Sequence, residues 1–465
     1  MKKRFVCFIL TIVLLMGCQT LPETIQDERN LPQDHAAYVE ENKNVEKFLL
    51  ASDVQAKLDA DYNTIYFSVW HNSEPAHASL ERVSSIFKRF SVRLGYGENK
   101  RKHSAVWLKK LQKNASLENY PNTMQRAITA RHTNLRMMPT NGPHFYKPRG
   151  DISGWPFDNM QISSVPANIP LMVFHLSEDK SWALVETSFA FGWMPVEDFA
   201  RVDENFMGTW ESGRYTVVIK DKTSIYGADG NFSLRTSIGQ VFPLVKEMTD
   251  NMEILIASAD ENNNAVIKRG FVSRKVVAPK PLPFTYENAL IIANEMIDEP
   301  YGWGGLYGNR DCSAMTRDFF APFGIWLPRH SEDQVKKVGT YIDLKDLKPE
   351  EKEKVIMEKG VPYLSLLWRK GHVMLYIGAQ DNRALIFHNA WGVKTRNFSG
   401  KEGRKIIGKA VITTLCPGAE LLCLDPEGLL IKNLSALTII APQEEKTPLP
   451  EGNTLSSKNI EASAI

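Results

Sequence analysis

Val277-Ala278-Pro279-Lys280-Pro281-Leu282-Pro283 puts three prolines at alternate positions, and no other stretch constrains the fold of this chain more. Proline fixes φ and removes a backbone donor, so the segment reads as a stiff, extended linker. It separates two kinds of sequence. Upstream, from residue 146, short β-type runs alternate with turn residues. Downstream, over 284–420, helical and strand patterns alternate. At 465 residues the chain is long enough for several domains.

The upstream runs predict two small barrels. Over 146–203, Pro170-Leu171-Met172-Val173-Phe174-His175-Leu176, Trp182-Ala183-Leu184-Val185-Glu186 and Phe191-Gly192-Trp193-Met194-Pro195 are strand candidates, and Ser177–Ser181 is a hairpin loop. Over 204–277 the theme recurs in Tyr215–Ile219, Ile238–Leu244 and Ala265–Val272. Gly192-Trp193-Met194 and Gly270-Phe271-Val272 end the two copies alike. Residues 45–145 carry helical spacing at Ser84–Phe90 and Ala105–Leu111, and the breaker cluster Met138–Pro143 is the expected boundary.

The N-terminus reads as an export signal. Basic Met1–Arg4 precedes the apolar run Phe5–Met16, too short to span a bilayer as a mature helix. It closes in Leu15-Met16-Gly17-Cys18, which looks like a lipobox. Residues 1–17 are then the signal peptide and Cys18 the lipidated first residue, tied to a membrane through a polar tether over 18–44. Gln19 after the Cys favours the outer membrane where the cell has one. Residues 442–465 are polar, dotted with prolines and expected to be disordered. The formal net charge of +2, with no long basic run, gives no drive toward nucleic acid.

Three cysteines remain: Cys312, Cys416 and Cys423. The last two are close enough to pair across Pro417-Gly418, or they are two separate buried thiols. If they pair, Cys312 is the odd thiol and the reactive candidate. It follows Pro300, the Gly-rich Tyr301-Gly302-Trp303-Gly304-Gly305 and Asp311, an N-cap residue for Cys312–Phe320. A thiol in a first helical turn meets unpaired N–H groups and the positive dipole end, which favour a thiolate. It also needs a base. In Gly371-His372-Val373-Met374-Leu375-Tyr376-Ile377-Gly378 strict alternation makes His372 the open end of a strand. The next strand, Ala384–His388, brings a second histidine alongside to orient the first, with Asn389 as the fallback.

These motifs, together with Leu327-Pro328-Arg329-His330-Ser331 and His388-Asn389-Ala390, resemble those of the NlpC family of cell-wall cysteine peptidases. The resemblance covers residues 284–415. With the two barrels, which resemble bacterial SH3-like domains, and the helical segment, it extends to the larger members, the γ-D-glutamyl-L-diamino-acid endopeptidases. It implies an α+β chain with a papain-like catalytic core, two SH3-like β-barrels and a mainly helical N-terminal segment. It also implies Cys312 as nucleophile, His372 as base, His388 as orienter and Tyr301 beside the oxyanion. Trp303, Asp311, Ser313, Arg329, His330 and Ser331 would line the site for a peptidoglycan stem peptide. Members that require a free N-terminal L-Ala carry an acidic residue where this chain has His330. Either another carboxylate meets the amine, or the requirement is relaxed.

No cofactor or metal is expected. Gly302–Gly305 lacks the following Lys-Ser/Thr of a phosphate loop, and no Cys/His set has zinc spacing. Two other functions fit the same text: a non-catalytic wall-binding lipoprotein that acts through its barrels, and a cysteine acyltransferase on the same fold.

Overall fold

The computed structural model describes residues 24–39, 47–148 and 154–440. The signal segment 1–17, Cys18 and the tail 442–465 lie outside the described residues.

Four α-helices open the described residues: α1 (Gln26–Asn30), α2 (Ser52–His71), α3 (Leu80–Val92) and α4 (Ala105–Ala115). Ser79 and Ser104 cap α3 and α4 by accepting from the N–H groups of Arg82 and Trp107. The inward face of α3 is Val83, Phe87 and Phe90, at helical spacing. Helix α2 buries Tyr62, Tyr66, Phe67, Val69 and Trp70 against the first sheet.

That sheet corrects the boundary drawn at residue 145. β1 (Gln125–Thr129) and β2 (Thr133–Arg136) lie upstream of the breaker cluster, yet they belong with β3 (Gln161–Val165), β4 (Pro170–Leu176), β5 (Trp182–Thr187), β6 (Phe191–Pro195) and β7 (Phe199–Arg201), in the order β3-β2-β6-β5-β4-β1-β7. Their apolar residues Ala127, Ile128 and Leu135 complete this domain's core, so the helical segment ends before residue 125. Ser177–Ser181 is the hairpin between β4 and β5, with a bulge between Val173 and His175.

The second domain opens with α5 (Glu204–Trp210). It continues through β8 (Tyr215–Val218), β9 (Ser224–Tyr226), β10 (Phe232–Arg235), β11 (Val241–Glu247), β12 (Asn251–Ala259), β13 (Ala265–Ser273) and β14 (Val277–Pro279). The start of the proline-rich linker is therefore itself a strand. β14 pairs with β8 at the sheet edge, where a proline leaves no ladder bond unmade.

After the linker come α6 (Tyr286–Met296), α7 (Cys312–Phe320), α8 (Ser331–Lys336), β15 (Thr340–Asp343) and α9 (Pro349–Lys359). Then follow β16 (Ser365–Arg369), β17 (His372–Gln380), β18 (Arg383–Arg396), β19 (Glu402–Thr414), α10 (Leu430–Asn433) and β20 (Ala436–Ile439). The sheet order is β15-β20-β16-β17-β18-β19. β20 inserts between β15 and β16, so this domain runs past the expected end at 420. Helix α7 packs on the sheet, and one core joins Cys312, Met315, Phe319 and Phe320 to Val373, Leu375 and Phe387.

Residues 24–39 correct the reading of 18–44 as a free tether. They cover the edge strand β19. Thr414 N–H donates to Asp27 Oδ2 at 2.8 Å, and Gln33 bonds both sides of Ile412, at 2.9 and 3.1 Å. An uncovered edge strand presents unpaired backbone groups, and these polar side chains satisfy them.

Candidate active site

Cys312 opens α7, and Asp311 caps it by accepting from Ala314 N–H at 2.8 Å. Burial opposes the thiolate that the helix start favours. The thiol is pushed up to about 12, first by burial and then by the neighbouring Asp311 carboxylate. The N–H of Val373 and the charge of Arg329 act in the opposite direction and are outweighed. Desolvation penalises the charged form, and here it exceeds the helix-end field.

His372 begins β17 and His388 lies on β18. His372 Nε2 and His388 Nδ1 are 2.8 Å apart, and His388 Nε2 lies 3.1 Å from Thr413 Oγ1. The proton positions follow from the end of this chain. Thr413 Oγ1 donates its hydrogen to the Thr414 carbonyl at 2.8 Å, so it accepts from His388 Nε2–H. His388 Nδ1 then carries a lone pair and accepts from His372 Nε2–H. That leaves Nδ1 of His372 unprotonated, the form a general base requires. Burial favours the neutral form of both rings. Burial alone lowers His388 to about 3, while burial, His388, Arg369 and Arg404 lower His372 well below its usual value. Asn389, the fallback orienter, has neither side-chain atom hydrogen-bonded among the described residues.

The other expected residues divide between two places. Tyr301, Trp303, His372 and His388 line a cleft of about 330 Å³, with Phe157 and Asn159 of the first β-domain on its wall. Burial first, then the nearby sulfur, raises the Tyr301 hydroxyl well above its usual value, so it remains a neutral donor. Trp303 Nε1 donates to the Asp158 carbonyl at 3.1 Å. Arg329 and His330 line a separate cavity of about 720 Å³, between α2, α3, the first β-domain and α8. Neither carboxylate in its lining, Asp61 or Asp333, is adjacent to His330 in sequence, and Asp333 pairs with Lys337 at 3.0 Å. Ser331 Oγ accepts from Trp368 Nε1 at 3.3 Å.

Asp311, Ser313 and Arg329 turn toward one another. Arg329 Nη2 donates to Asp311 Oδ2 at 2.6 Å, and Nη1 donates to Oδ1 at 3.1 Å and to Ser313 Oγ at 2.7 Å. Arg329 Nε donates to Ser163 Oγ of β3 at 2.9 Å. Residues that the sequence did not single out hold the other end. Arg310 is buried between Asp221 of the second β-domain, at 2.9 Å, and Asp318 of α7, at 2.7 Å. The Gly-rich loop serves close approach. Gly304 and Gly305 have φ of +58 and +83, and a Cβ on either would strike Gln161 or Ser164 of β3. Both β-domains therefore fix the segment that carries Cys312.

Four family models match the chain. Residues 5–120 match the N-terminal NLPC_P60 stabilising domain, 143–195 an SH3 domain of SH3b1 type, 203–248 an SH3 domain of SH3b2 type, and 298–407 the NlpC/P60 family. The chain is similar to the NlpC/P60 family over residues 298–407, and to that family's stabilising and SH3 domains upstream. It is a cysteine peptidase of the peptidoglycan endopeptidase kind, with a papain-like catalytic domain behind two SH3-like domains and a helical N-terminal domain. The fold is shared with the NlpC/P60 endopeptidase from Photobacterium damselae subsp. piscicida, at 24% identity and a TM-score of 0.80, over 90% of this chain and 98% of that one. An NlpC/P60 family protein from Bacillus cereus aligns at 15% identity and a TM-score of 0.45, over 68% of this chain and 100% of that one. No curated protein matches the sequence. Among the described residues no helix is long and apolar enough to cross a membrane.

Proposed function

We propose that this peptidoglycan hydrolase cleaves the γ-D-glutamyl–diamino-acid bond of stem peptides through an acyl-enzyme on Cys312. The observation that carries this reading is the hydrogen-bond chain Thr413–His388–His372, which leaves Nδ1 of His372 free to take a proton. Thiol and imidazole both rest neutral. The Cys312 proton passes to His372 as sulfur attacks the γ-carbonyl. The Tyr301 hydroxyl and the N–H groups at the start of α7 face the developing oxyanion. His372 then gives its proton to the departing amine, and the thioester forms as the C–N bond breaks. Water, deprotonated by His372, attacks the thioester and restores the thiol. His388 orients His372, and Asp311, Ser313, Arg329 and Ser331 shape the acyl side of the site.

Replacing Cys312 with Ala tests the nucleophile. Turnover of defined tripeptide and tetrapeptide stems, followed by product mass, should fall by at least ~1000-fold. Cleavage at the native rate would remove Cys312 from the reaction. We also assign lipid attachment to Cys18, on the lipobox reading. The expected mature N-terminus is a diacylated or triacylated Cys18, and an intact Met1 or an unmodified Cys18 in the mass spectrum would refute it.

A further inference from the structure

The cleft that holds His372 carries charge of one sign. Arg369, Lys370, Lys394 and Arg404 line it, and no Asp or Glu is among the described residues that do. Lys394 already has partners, Glu402 and Asp425, each at 2.9 Å. Arg404 donates to the Gly392 carbonyl at 3.2 Å. Arg369 is different. Among the described residues it makes no ion pair, and its Nε is buried without a hydrogen-bond partner.

Local sequence dictates where Arg369 lies. β16 ends at Arg369, β17 begins at His372, and Lys370-Gly371 is the two-residue turn between them, with Gly371 at φ +79. Arg369 and His372 are direct cross-strand partners. Directly opposed residues of an antiparallel pair project from the same face, so the guanidinium stands beside the base. Burial, and then the like charge of Arg404, disfavours the protonated form of Arg369. Arginine does not shed its proton in proteins, so an anion entering the cleft would offset this arrangement.

The reaction above indicates which part of the substrate enters here, and the inference rests on that reading. His372 must reach the leaving nitrogen to protonate it. The atoms beyond that nitrogen then extend into the cleft His372 lines, away from Asp311 and Arg329 on the acyl side. The leaving diamino acid bears carboxylates a few bonds from that nitrogen. We propose that Arg369, with Arg404 beside it, binds a carboxylate of the leaving residue and so selects substrates that carry one. The carboxylate is either the α-carboxylate of a stem that ends at the diamino acid or a distal one on its side chain. A planar guanidinium meets either in two-point fashion.

The test is steady-state kinetics of the full chain on four stem peptides: the free diacid, each carboxylate amidated singly, and both amidated. In the native protein one amidation should raise KM by about tenfold or more, the loss expected for a charge-assisted hydrogen bond of about 1.5–3 kcal/mol. The value of kcat should move by less than about threefold. Which single amide has the effect identifies the carboxylate. Arg369→Gln should raise KM for the diacid by a similar factor and erase the difference between acid and amide, and Arg369→Lys should restore part of it. Binding of the same peptides to Cys312→Ala should show the same discrimination in Kd. Equal KM for all four peptides with the native protein would overturn the inference, and this arm needs no Arg369 variant to fold. Undiminished discrimination in Arg369→Gln would overturn it too. If Cys312→Ala is inert yet KM is uniform, this inference alone fails. If Cys312→Ala still cleaves, the catalytic reading fails instead.

Discussion

The two sides of Cys312 differ in how their polar groups are spent. On the acyl side Asp311 accepts from Arg329, Ala314, Ser313 and Gly304, and Arg329 reaches on to Ser163. On the histidine side the Arg369 Nε, the Trp391 Nε1 and both side-chain atoms of Asn389 are buried without partners among the described residues. A closed network of buried charges builds structure, because each group already has the partner that offsets its desolvation. An open one has left room for something else. The comparison assigns Asp311 and Arg329 to positioning the nucleophile helix, and the cleft beside His372 to meeting the substrate.

The largest effect that would break this comparison is on stability. Arg329→Ala strands Asp311, buried and charged, at the cap of the catalytic helix. Removing one partner of a buried ion pair costs about 3–5 kcal/mol. The melting temperature should fall steeply, and activity should fall with the folded fraction. An unchanged melting temperature with lost activity would move Arg329 to the ligand-facing side of the comparison.

What the sequence made legible follows the same division. The placement of Cys312 at a helix start, and of His372 and His388 on successive strands, was readable because it depends on local rules, a cap residue before a helix and strict alternation along the strands. Arg369 was readable on the same terms, since the Lys370-Gly371 turn sets it opposite His372. Nothing in its local sequence marks it as ligand-binding, because an arginine at a strand end is ordinarily solvated. Asp221, Ser163 and Thr413 were not readable. They are ordinary surface-type residues, and only the tertiary fold brings them to Arg310, Arg329 and His388. β1 and β2 were missed because two short runs beside a breaker cluster carry too little periodicity to reveal strands that pair with distant β4 and β3. The strap over β19 was missed because its polar composition is that of a tether, and its bonds go to backbone 379 and 387 residues away in sequence.

A second expected effect concerns pH. His388 and His35 are buried neutral, each lowered to about 3, mainly by burial. His35 holds the strap to the catalytic domain, with Nδ1 3.0 Å from the Tyr363 hydroxyl. In the unfolded chain both revert to about 6.5. Between about 3 and 6.5 the unfolded state thus binds more protons than the folded one. Stability is fully present above 6.5 and is lost as pH falls through that window, with a slope of up to about 1.4 kcal/mol per pH unit for each histidine. Urea midpoints should be level from pH 7.5 to 7 and drop from pH 6 to 5. His35→Phe should flatten part of the drop. A midpoint independent of pH across that range would show that the rings are not held neutral.

The smallest effect tests the proton chain itself. His388→Ala removes the acceptor that fixes His372 Nε2–H, so the ring is free to turn or to adopt the tautomer with its proton on the wrong nitrogen. Orientation of a base by one hydrogen bond is worth roughly tenfold in kcat, about 1.4 kcal/mol. KM should change less than kcat, because the His388 ring is buried with its two nitrogens directed to His372 and Thr413. His388→Asn separates orientation from packing, since its carbonyl oxygen can still accept from Nε2–H while the imidazole bulk is lost. If orientation is the role, Asn retains more activity than Ala at comparable melting temperature. If Ala and Asn lose activity equally and in step with stability, His388 belongs with Arg329 among the residues that only build the site, and the histidine side of Cys312 is less open than its unpartnered atoms indicate.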